Sequence, residues 1–298
     1  MVYFALFFEY KRINIIGMKV INTIKDLKAA LSAYRTAGKK VGLVPTMGAL
    51  HAGHASLVKR SVQDNDVTVV SDFVNPTQFN DKNDLVNYPH QLDADIELLE
   101  SCGATILFAP SVEEMYPEPD TRHFSYPPID TVMEGARRSG HFNGVCQIVS
   151  KLFMAVEPDK AYFGEKDFQQ VAVIRAMVKD LKFGLEIVSC PIIREDGGLA
   201  LSSRNQLLSP QERSNALNIS KTLLLSRDYA ASHTVADTQK FVEERIDLAE
   251  GLRLEYFEIV DGNSLQKIAN WEDTSFAVGC ITVFSGKTRL IDNIKYKE

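Results

Sequence analysis

The stretch "PTMGALHAGHASL", from Pro45 to Leu57, decides how the chain is interpreted. It places His51 and His54 in a glycine-flanked loop directly after the apolar run KVGLVP. Glycines let the backbone approach a ligand closely, and the free N–H groups at a helix N-terminus favour anions. The loop is expected to enter its helix at about His54 or Ala55. The stretch alone leaves three interpretations open: a metal site, a phosphate site, or two polar residues at a helix entrance without chemistry.

Apolar runs and helical patterns alternate around this loop. Predicted strands are KVGLVP, DVTVVSDFVNP, ATILFAP, KAYFG and LEIVSCPII. Helical spacing predicts helices over 23–36, 55–63, 91–102, 144–156 and 168–182. Such alternation predicts βαβ units, a Rossmann-like parallel sheet, and a ligand at the carboxyl ends of the strands. The fold class is therefore α/β.

The pattern of predicted helices and strands changes near Ile192. Helices predicted over 210–226 and 235–249 are followed by LEYFEIVD and SFAVGCITVFSGKTRLID, which predict a smaller α+β unit. We therefore divide the chain into a nucleotide- and substrate-binding domain over residues 18–191 and a smaller C-terminal lid domain over residues 192–298. Residues 1–17 form an N-terminal extension, and Met18 is our hypothesis for the physiological start because MKVINTIKDLKAAL reads as a natural beginning.

Composition excludes several classes of protein. Hydrophobic residues make up 45% of the 298 positions and charged residues 24%, as in ordinary globular proteins. The formal net charge of −6, without a lysine- or arginine-rich block, argues against a nucleic-acid partner. The apolar start is interrupted by charge well short of the ~18 residues of a spanning helix, so no membrane partner is expected. Four dispersed cysteines without a C-x-x-C pair favour a reduced, cytoplasmic protein.

Three further polar loops follow predicted strands. FVNPTQFN contributes the amides of Asn75 and Gln78, which suit hydroxyl and carboxylate recognition. FGEKDFQQ contributes Lys166, a point charge suited to phosphate, and Asp167, which is expected to cap the following helix. GLALSSRN (198–205) supplies hydroxyls and a guanidinium for a phosphate clamp. Each loop alone could also be an ordinary turn or a solvated surface segment without function, but together the four predict a site for nucleotide phosphates. A zinc site lacks a third ligand near the histidines.

The motifs PTMGALHAGH, FVNPTQF, GHFNGV, YFGEKDFQQ, LALSSRN and GKTRLIDN closely resemble the pantothenate synthetase (pantoate–β-alanine ligase) family. They occur in family order between Met18 and Asn293. HAGH resembles the HIGH motif shared by class I aminoacyl-tRNA synthetases and nucleotidylyltransferases, and LSSR resembles their KMSKS-type motif. The resemblance implies the fold of this HIGH-motif superfamily. It also implies that ATP, with Mg²⁺, activates pantoate to pantoyl adenylate, which β-alanine converts to pantothenate with release of AMP. A homodimer is implied as well.

The resemblance also implies roles for individual residues. Expected catalytic residues are His54, as proton donor, together with His51 and Lys166. Expected ATP-binding residues are Met47, Gly48, Ala49, Leu50, His51, Ala52, Gly53, His54, Gly164, Glu165, Lys166, Asp167, Ile193 (through its backbone), Leu201, Ser202, Ser203 and Arg204. Expected to bind pantoate or β-alanine are Gln78, Gln170, Asn75, Arg138 and His141. No metal ligand is assigned to the protein, because Mg²⁺ is expected to arrive with ATP.

Three positions depart from the family pattern. Asp72 replaces an apolar residue, Asn80 replaces a common glycine, and His90 replaces a usual arginine. None is expected to touch an assigned residue. The alternative enzyme class is a nucleotidylyltransferase of the same superfamily acting on another small substrate, which would leave the paired glutamines unexplained. A tRNA-charging protein should carry a basic groove, and this acidic chain shows none.

Overall fold

The structure is a computed structural model and describes residues 17–79, 85–86 and 88–298. The expectations about residues 1–16 and about Asn80 and its neighbours to residue 84 lie outside these ranges. In the described ranges, the first sheet contains β1 (Lys19–Ile21), β2 (Val41–Thr46), β3 (Val67–Asp72), β4 (Ile106–Phe108), β5 (Lys160–Gly164) and β6 (Glu186–Cys190). The six strands are parallel and lie in the order β1-β4-β3-β2-β5-β6. The predicted α/β class with a Rossmann-like parallel sheet is confirmed.

The strand order reverses direction beside β2. From β2 the chain proceeds to β3 and β4 on one side, and then returns to place β5 and β6 on the other. In open parallel sheets, loops at such a reversal diverge and leave a crevice at the carboxyl ends of the strands. The loop that contains His51 and His54 follows β2, and the loop that contains Lys166 follows β5. The topology therefore brings two of the four predicted loops to one crevice.

Helices cover both faces of this sheet. The helices in and around the first sheet are α1 (Ile24–Thr36), α2 (Ala52–Asp64), α3 (Leu92–Cys102), α4 (Val112–Met115), α5 (Met133–Arg137), α6 (His141–Val156) and α7 (Phe168–Asp180). Successive residues of β2 point to opposite faces, so Leu43 packs with α1 and α6 whereas Val44 packs with α2 and α3. Burial on both faces explains why the strand reads as a continuous apolar run.

The second sheet is antiparallel. Its strands β7 (Leu252–Asp261), β8 (Ala277–Ser285) and β9 (Thr288–Lys297) are packed against α8 (Pro210–Ala230) and α9 (Val235–Asp247). This arrangement is the predicted small α+β unit. The exact boundary between residues 191 and 192 stays a prediction. No described helix is long and apolar enough to cross a membrane, and the four cysteines are buried and unpaired.

Several element boundaries differ from the predictions. Helix α6 begins at His141 rather than at residue 144, after Gly140 in the left-handed region (φ 78°). Helix α8 continues to Ala230 rather than residue 226. Gly140 and Gly144 flank the first turn of α6, and the low helix propensity of glycine weakens the helical pattern there.

Candidate active site

A cleft of about 1230 Å³, open solvent included, lies at the carboxyl ends of β2, β3 and β5. Two apolar walls come from α6 and from β5. The predicted site residues that line it are Met47, His51, Gly53, His54, Asn75, Gln78, Gly164, Lys166, Asp167, Gln170, Ile193, Leu201, Ser202, Ser203 and Arg204. All four polar loops thus meet in one cavity. Among the described residues, no cluster of three His, Cys, Asp or Glu side chains is placed to hold a metal ion.

The two histidines cap the helix that follows them. Helix α2 begins at Ala52, with His51 as its N-cap, so the expected start at His54 or Ala55 is wrong by about one turn. His51 Nδ1 accepts a hydrogen bond from the Gly53 N–H at 3.1 Å, and His54 Nδ1 accepts one from the His51 N–H at 3.3 Å. The imidazoles satisfy backbone donors that a helix start leaves unpaired, in the way that serine or glutamate usually does.

Both imidazoles are neutral at pH 7. Burial lowers the pKa of His51 to about 4, and the positive charge of Lys166 lowers it further. Burial also lowers the pKa of His54 to about 3, with contributions from His51 and Lys166. Because both rings are stacked with their centroids 4.1 Å apart, protonating one disfavours protonating the other. The rings therefore meet a ligand as neutral hydrogen-bond donors beside one fixed cation.

The backbone before His51 is held by a buried carboxylate. Asp95, on α3, accepts hydrogen bonds from the Ala49 N–H at 2.8 Å and the Leu50 N–H at 2.7 Å, and it is 1% exposed. Ala49 has a φ of 51°, a left-handed conformation that a non-glycine residue adopts only when its surroundings hold it. Gly48, Ala49, Leu50 and Ala52 do not line the cleft, and their expected role in binding ATP stays a prediction.

The Asp72 departure contacts an assigned residue, which corrects the expectation that it touches none. A Cβ on Gly48 would lie 2.4 Å from Asp72 Oδ1, so the carboxyl group packs directly on this glycine. Burial raises the pKa of Asp72 to about 6, Asp95 raises it further, and His90 lowers it. Asp72, His90 and Asp95 line one small cavity behind the loop. Two of the family departures are therefore neighbours, and the histidine partly compensates for the charge of the aspartate.

The amide loop after β3 is fixed against α6. Asn75 is 1% exposed and its Nδ2 donates to Gln78 Oε1 at 3.0 Å and to the Gly144 carbonyl at 3.1 Å. Gln78 Nε2 lies 3.1 Å from Met47 Sδ, which joins this loop to the one after β2. A Cβ on Gly144 would lie 2.4 Å from the Thr77 carbonyl oxygen and 2.7 Å from the Gln78 N–H nitrogen. Only glycine permits this approach, which explains the second glycine of GHFNGV.

The loop after β5 combines cleft and anchoring residues. Lys166 and Asp167 line the cleft, with Lys166 Nζ 3.7 Å from Asp167 Oδ2. Asp167 occupies the N-cap position of α7 but makes no side-chain capping bond, so its expected capping role is wrong. Glu165 does not line the cleft, and its carboxylate pairs with Lys295 at 3.3 Å. Asn293 Nδ2 donates to the carbonyls of Glu165 and Lys166 at 2.7 and 3.2 Å, so the second sheet holds this loop.

The serine-rich loop reaches the cleft from the side of the second domain. Ser202 caps a 3-10 turn and accepts from the Arg204 N–H at 3.3 Å. Ser203 is buried, and its hydroxyl lies 3.3 Å from the Tyr88 hydroxyl. The Ile193 carbonyl accepts from the Leu201 N–H at 2.9 Å, which ties the ends of the 193–201 segment together. Two hydroxyls and one guanidinium thus border the part of the cleft that Lys166 also borders.

Arg138 and His141 do not line this cleft, although the resemblance assigns them near the substrates. They line an adjoining cavity that also contacts Lys166, Asp167 and Gln170. His141 Nδ1 lies 2.9 Å from the Gln78 carbonyl oxygen, so a residue of the adjoining cavity contacts the backbone of a residue that lines the cleft.

Sequence reasoning missed residues that hold the site from outside. Four of them contact the assigned segments: Asp95, Tyr88, Asn293 and Glu134. None of these residues lies in a separate polar loop that follows a predicted strand. Asn293 had a detectable signal, because it ends the GKTRLIDN motif. The others occur within ordinary helical or loop patterns, where a polar residue predicts only exposure.

The fold and the cleft together define a nucleotide-handling α/β enzyme of the HIGH-motif type, with neutral imidazoles at a helix start beside a lysine. A sequence profile described as pantoate-beta-alanine ligase matches residues 19–295. The chain belongs to this family.

Relatives agree over nearly the whole length. The chain is 75% identical to the pantothenate synthetase of Bacteroides thetaiotaomicron over 281 residues, which covers 94% of this chain and 100% of that protein. The crystal structure of pantothenate synthetase from Thermus thermophilus is similar, with a TM-score of 0.89, 42% identity and coverage of 94% and 100%. A Francisella tularensis pantoate-beta-alanine ligase complexed with beta-gamma ATP and beta-alanine has a TM-score of 0.78, 36% identity and coverage of 94% and 98%.

Proposed function

We propose that the protein joins pantoate to β-alanine at the expense of ATP, through a pantoyl adenylate intermediate. The observation that carries the proposal is one cleft that combines two neutral imidazoles, a lysine and two glutamines. Phosphate chemistry needs donors and a cation, whereas a hydroxy acid needs neutral amides. The Francisella relative complexed with beta-gamma ATP and beta-alanine supports the same two substrates for this chain.

In the first step, a pantoate carboxylate oxygen attacks the α-phosphorus of ATP, and the bond to the β-phosphate oxygen breaks to release pyrophosphate. The Nε2–H groups of His51 and His54 and the Nζ of Lys166 stabilise the negative charge that grows on the phosphates. Ser202, Ser203 and Arg204 hold the β- and γ-phosphates. Met47, Gly53 and Ile193 contact the nucleoside, the last through its backbone.

Gln78 and Gln170 hold the hydroxyls and carboxylate of pantoate against the α-phosphate, with Asn75 fixing the orientation of Gln78. In the second step, the amine of β-alanine attacks the carbonyl carbon of the adenylate. The carbon–oxygen bond to AMP breaks, and the amine loses a proton to water. Apolar side chains of α6 line the cleft and would shield one side of the reactive acyl phosphate from water.

Mg²⁺ is proposed to enter on the triphosphate, because it prefers phosphate oxygens and water to an all-protein cage. The assembly proposed from the family resemblance is a homodimer, which light scattering coupled to gel filtration would test.

The deciding experiment is exchange of labelled pyrophosphate into ATP, with Mg²⁺ and pantoate but without β-alanine. Exchange that depends on pantoate is the expected result, and it identifies both the carboxylate substrate and the adenylate. AMP should then appear only when β-alanine is added. No exchange with pantoate, together with a stable nucleotide adduct of another small substrate, would point to a nucleotidylyltransferase. ATP binding without exchange would overturn the proposed chemistry.

A further inference from the structure

Glu134 is a buried carboxylate at the contact between the domains of the two sheets. It lies in α5 and is 8% exposed. Arg289, on β9, donates to it with both terminal nitrogens at 2.7 and 2.8 Å. The Tyr256 hydroxyl on β7 donates at 2.8 Å, and the Thr282 hydroxyl on β8 at 3.1 Å. All three strands of the antiparallel sheet therefore hold one side chain that belongs to the other part of the chain.

The same carboxylate begins a chain of contacts toward the cleft. Its Oε2 lies 3.7 Å from Arg138 Nη1, one turn further along. Arg138 Nη1 lies 3.0 Å from His141 Nε2, and His141 Nδ1 lies 2.9 Å from the Gln78 carbonyl oxygen. Because arginine can only donate, His141 Nε2 must accept, and its Nδ1–H then donates to Gln78. The chain of contacts has one consistent set of protons, with His141 neutral.

The segment around Glu134 is constrained at its backbone too. The Glu134 N–H donates to Gln169 Oε1 at 3.0 Å, and Gln169 Nε2 donates to the carbonyls of Ile129 and Val132, both at 2.8 Å. Met133 has a φ of 44°, which its neighbours must hold. Gln169 directly precedes Gln170, which lines the cleft. Glu134 is thus linked to both glutamines assigned to pantoate.

We propose that Glu134 is a positioning residue for the pantoate site. The antiparallel sheet fixes Glu134 through Arg289 and Tyr256, and Glu134 fixes Arg138 and His141 against the backbone of Gln78. The C-terminal sheet thereby controls pantoate affinity from outside the cleft. This inference rests on the proposed function and adds to it a role for a residue that the family motifs did not assign.

The electrostatic reason is specific. Arg138 and Arg289 both face Glu134 and repel each other, so the carboxylate is what allows two guanidinium groups to share this space. If the negative charge is removed, Arg138 moves away from Arg289 and His141 loses its partner. Gln78 then loses the donor at its carbonyl, and the backbone from which its side chain reaches the cleft can shift.

The test compares variants by the half-saturating concentrations of pantoate and of ATP, by calorimetric binding of pantoate, and by Tm. Glu134→Gln keeps the shape of the side chain but removes its negative charge. Arg289→Lys keeps the positive charge but loses the two-pronged guanidinium group, whereas Arg289→Met loses both. The double variant Tyr256→Phe/Thr282→Val removes two donors to Glu134 without changing any charge. Its matched control is Tyr296→Phe/Ser226→Ala, which removes a buried 2.6 Å hydroxyl pair of the same domain.

We expect Glu134→Gln and Arg289→Met to raise the pantoate KM and Kd about 2- to 30-fold, the range for residues that couple sites without touching ligand. The ATP KM should stay within about twofold. Arg289→Lys should restore part of the pantoate affinity, and the control pair should lower Tm only. If Glu134→Gln does not fold, the Tyr256→Phe/Thr282→Val variant decides by the same criterion.

A fall in Tm without a change in pantoate affinity would make Glu134 purely structural and overturn the inference. An equal rise of both KM values would do the same. Measurements on the wild type distinguish failure of this inference from failure of the proposed function. If the wild type neither binds pantoate nor forms pantothenate, the proposed function itself has failed.

Discussion

His51 and His54 are both held in the Nε2–H tautomer, His54 by the backbone N–H of His51 and His51 by that of Gly53. His51 Nδ1 accepts from the Gly53 N–H, and His54 Nδ1 accepts from the N–H of His51. A neutral imidazole that accepts at Nδ1 carries its proton on Nε2. Both rings line the cleft, so each offers an Nε2–H donor whose direction is set by helix capping. The spacing H-x-x-H follows from this geometry, because the residue at the third helical position reaches back to the N-cap.

His54→Ala should therefore lower kcat by roughly 10²- to 10⁴-fold with little change in ATP binding, since it removes a positioned group that acts in the transition state. His54→Gln, whose amide can place a donor near the former Nε2, should recover part of the activity. Steady-state turnover together with ATP binding by calorimetry checks this. Wild-type turnover in His54→Ala would remove this residue from the mechanism.

Asp72→Asn should stabilise the protein at neutral and alkaline pH. The pKa of Asp72 is raised to about 6 by burial, so the folded state binds more protons than the unfolded state between about pH 4 and 6. Above pH 6 the buried charge therefore destabilises the fold, and below pH 4 this cost disappears. Allowing for solvent screening, we expect a gain of about 1 kcal/mol, or about 2 °C in Tm, at pH 8 and none near pH 4. Asp196→Asn, at an exposed turn, is the control; equal Tm gains at both pH values would contradict the argument.

Gln78→Ala should raise the pantoate KM by about tenfold or more while the ATP KM stays near its wild-type value, because a hydrogen-bond partner of the substrate is lost. Gln147 is a suitable control. Its amide donates to the carbonyls of Asp120 and Arg122, away from the cleft. Gln147→Ala should lower Tm without changing the KM for pantoate or the KM for ATP. A fixed pantoate KM with a raised ATP KM would show that Gln78 was assigned to the wrong substrate.

Asp95→Ala should lower both stability and activity although Asp95 lies behind the HAGH loop. It would leave the N–H groups of Ala49 and Leu50 without their buried acceptor, at a cost of about 2–5 kcal/mol in the free energy of unfolding. Asp95→Asn should lose less stability and activity than Asp95→Ala, because its single amide oxygen can replace only one of the two accepting oxygens. We would measure thermal unfolding and kcat for both variants. The control is Asp93→Ala, on the exposed side of the same helix. Unchanged kcat in Asp95→Ala would mean that the loop does not need this support.

Gly144→Ala should impair pantoate binding through backbone displacement. The added methyl group would overlap the Thr77 carbonyl, and the turn that carries Gln78 would have to move away from α6. We expect a Tm loss of several degrees, corresponding to the about 1–3 kcal/mol typical of overpacking, and a larger rise in the pantoate KM than in the ATP KM. Gly184→Ala, where a Cβ meets no atom within 4 Å, should change neither. A fully active Gly144→Ala variant would show that the turn can shift without consequence.

The sequence predicted the fold class and most of the cleft because both depend on local patterns. Continuous apolar runs such as KVGLVP are enough to indicate buried parallel strands, and polar residues directly after such strands must lie at one edge of the sheet. The four loops that contain His54, Gln78, Lys166 and Ser202 were identified in this way, and the structure brings them to one cavity. Their individual roles remain proposals.

The contacts that hold these loops could not be predicted in the same way. Asp95 contacts a loop 46 residues before it, Asn293 a loop 128 residues before it, and Glu134 accepts from Arg289 across 155 residues. No periodicity relates such pairs, because they meet only after the helices have packed and the second sheet has docked.

Local rules even misled where tertiary contacts took priority. Asp167 occupies a capping position without capping, and Asp72 packs on Gly48 although it was expected to touch no assigned residue. The sequence by itself determined which four loops border the cleft, since polar loops between apolar strands and helices are encoded by nearby residues. Only the tertiary structure decided which tautomers, carboxylates and glycines hold those side chains in place, since buried hydrogen bonds and close packing depend on residues that are distant in the chain.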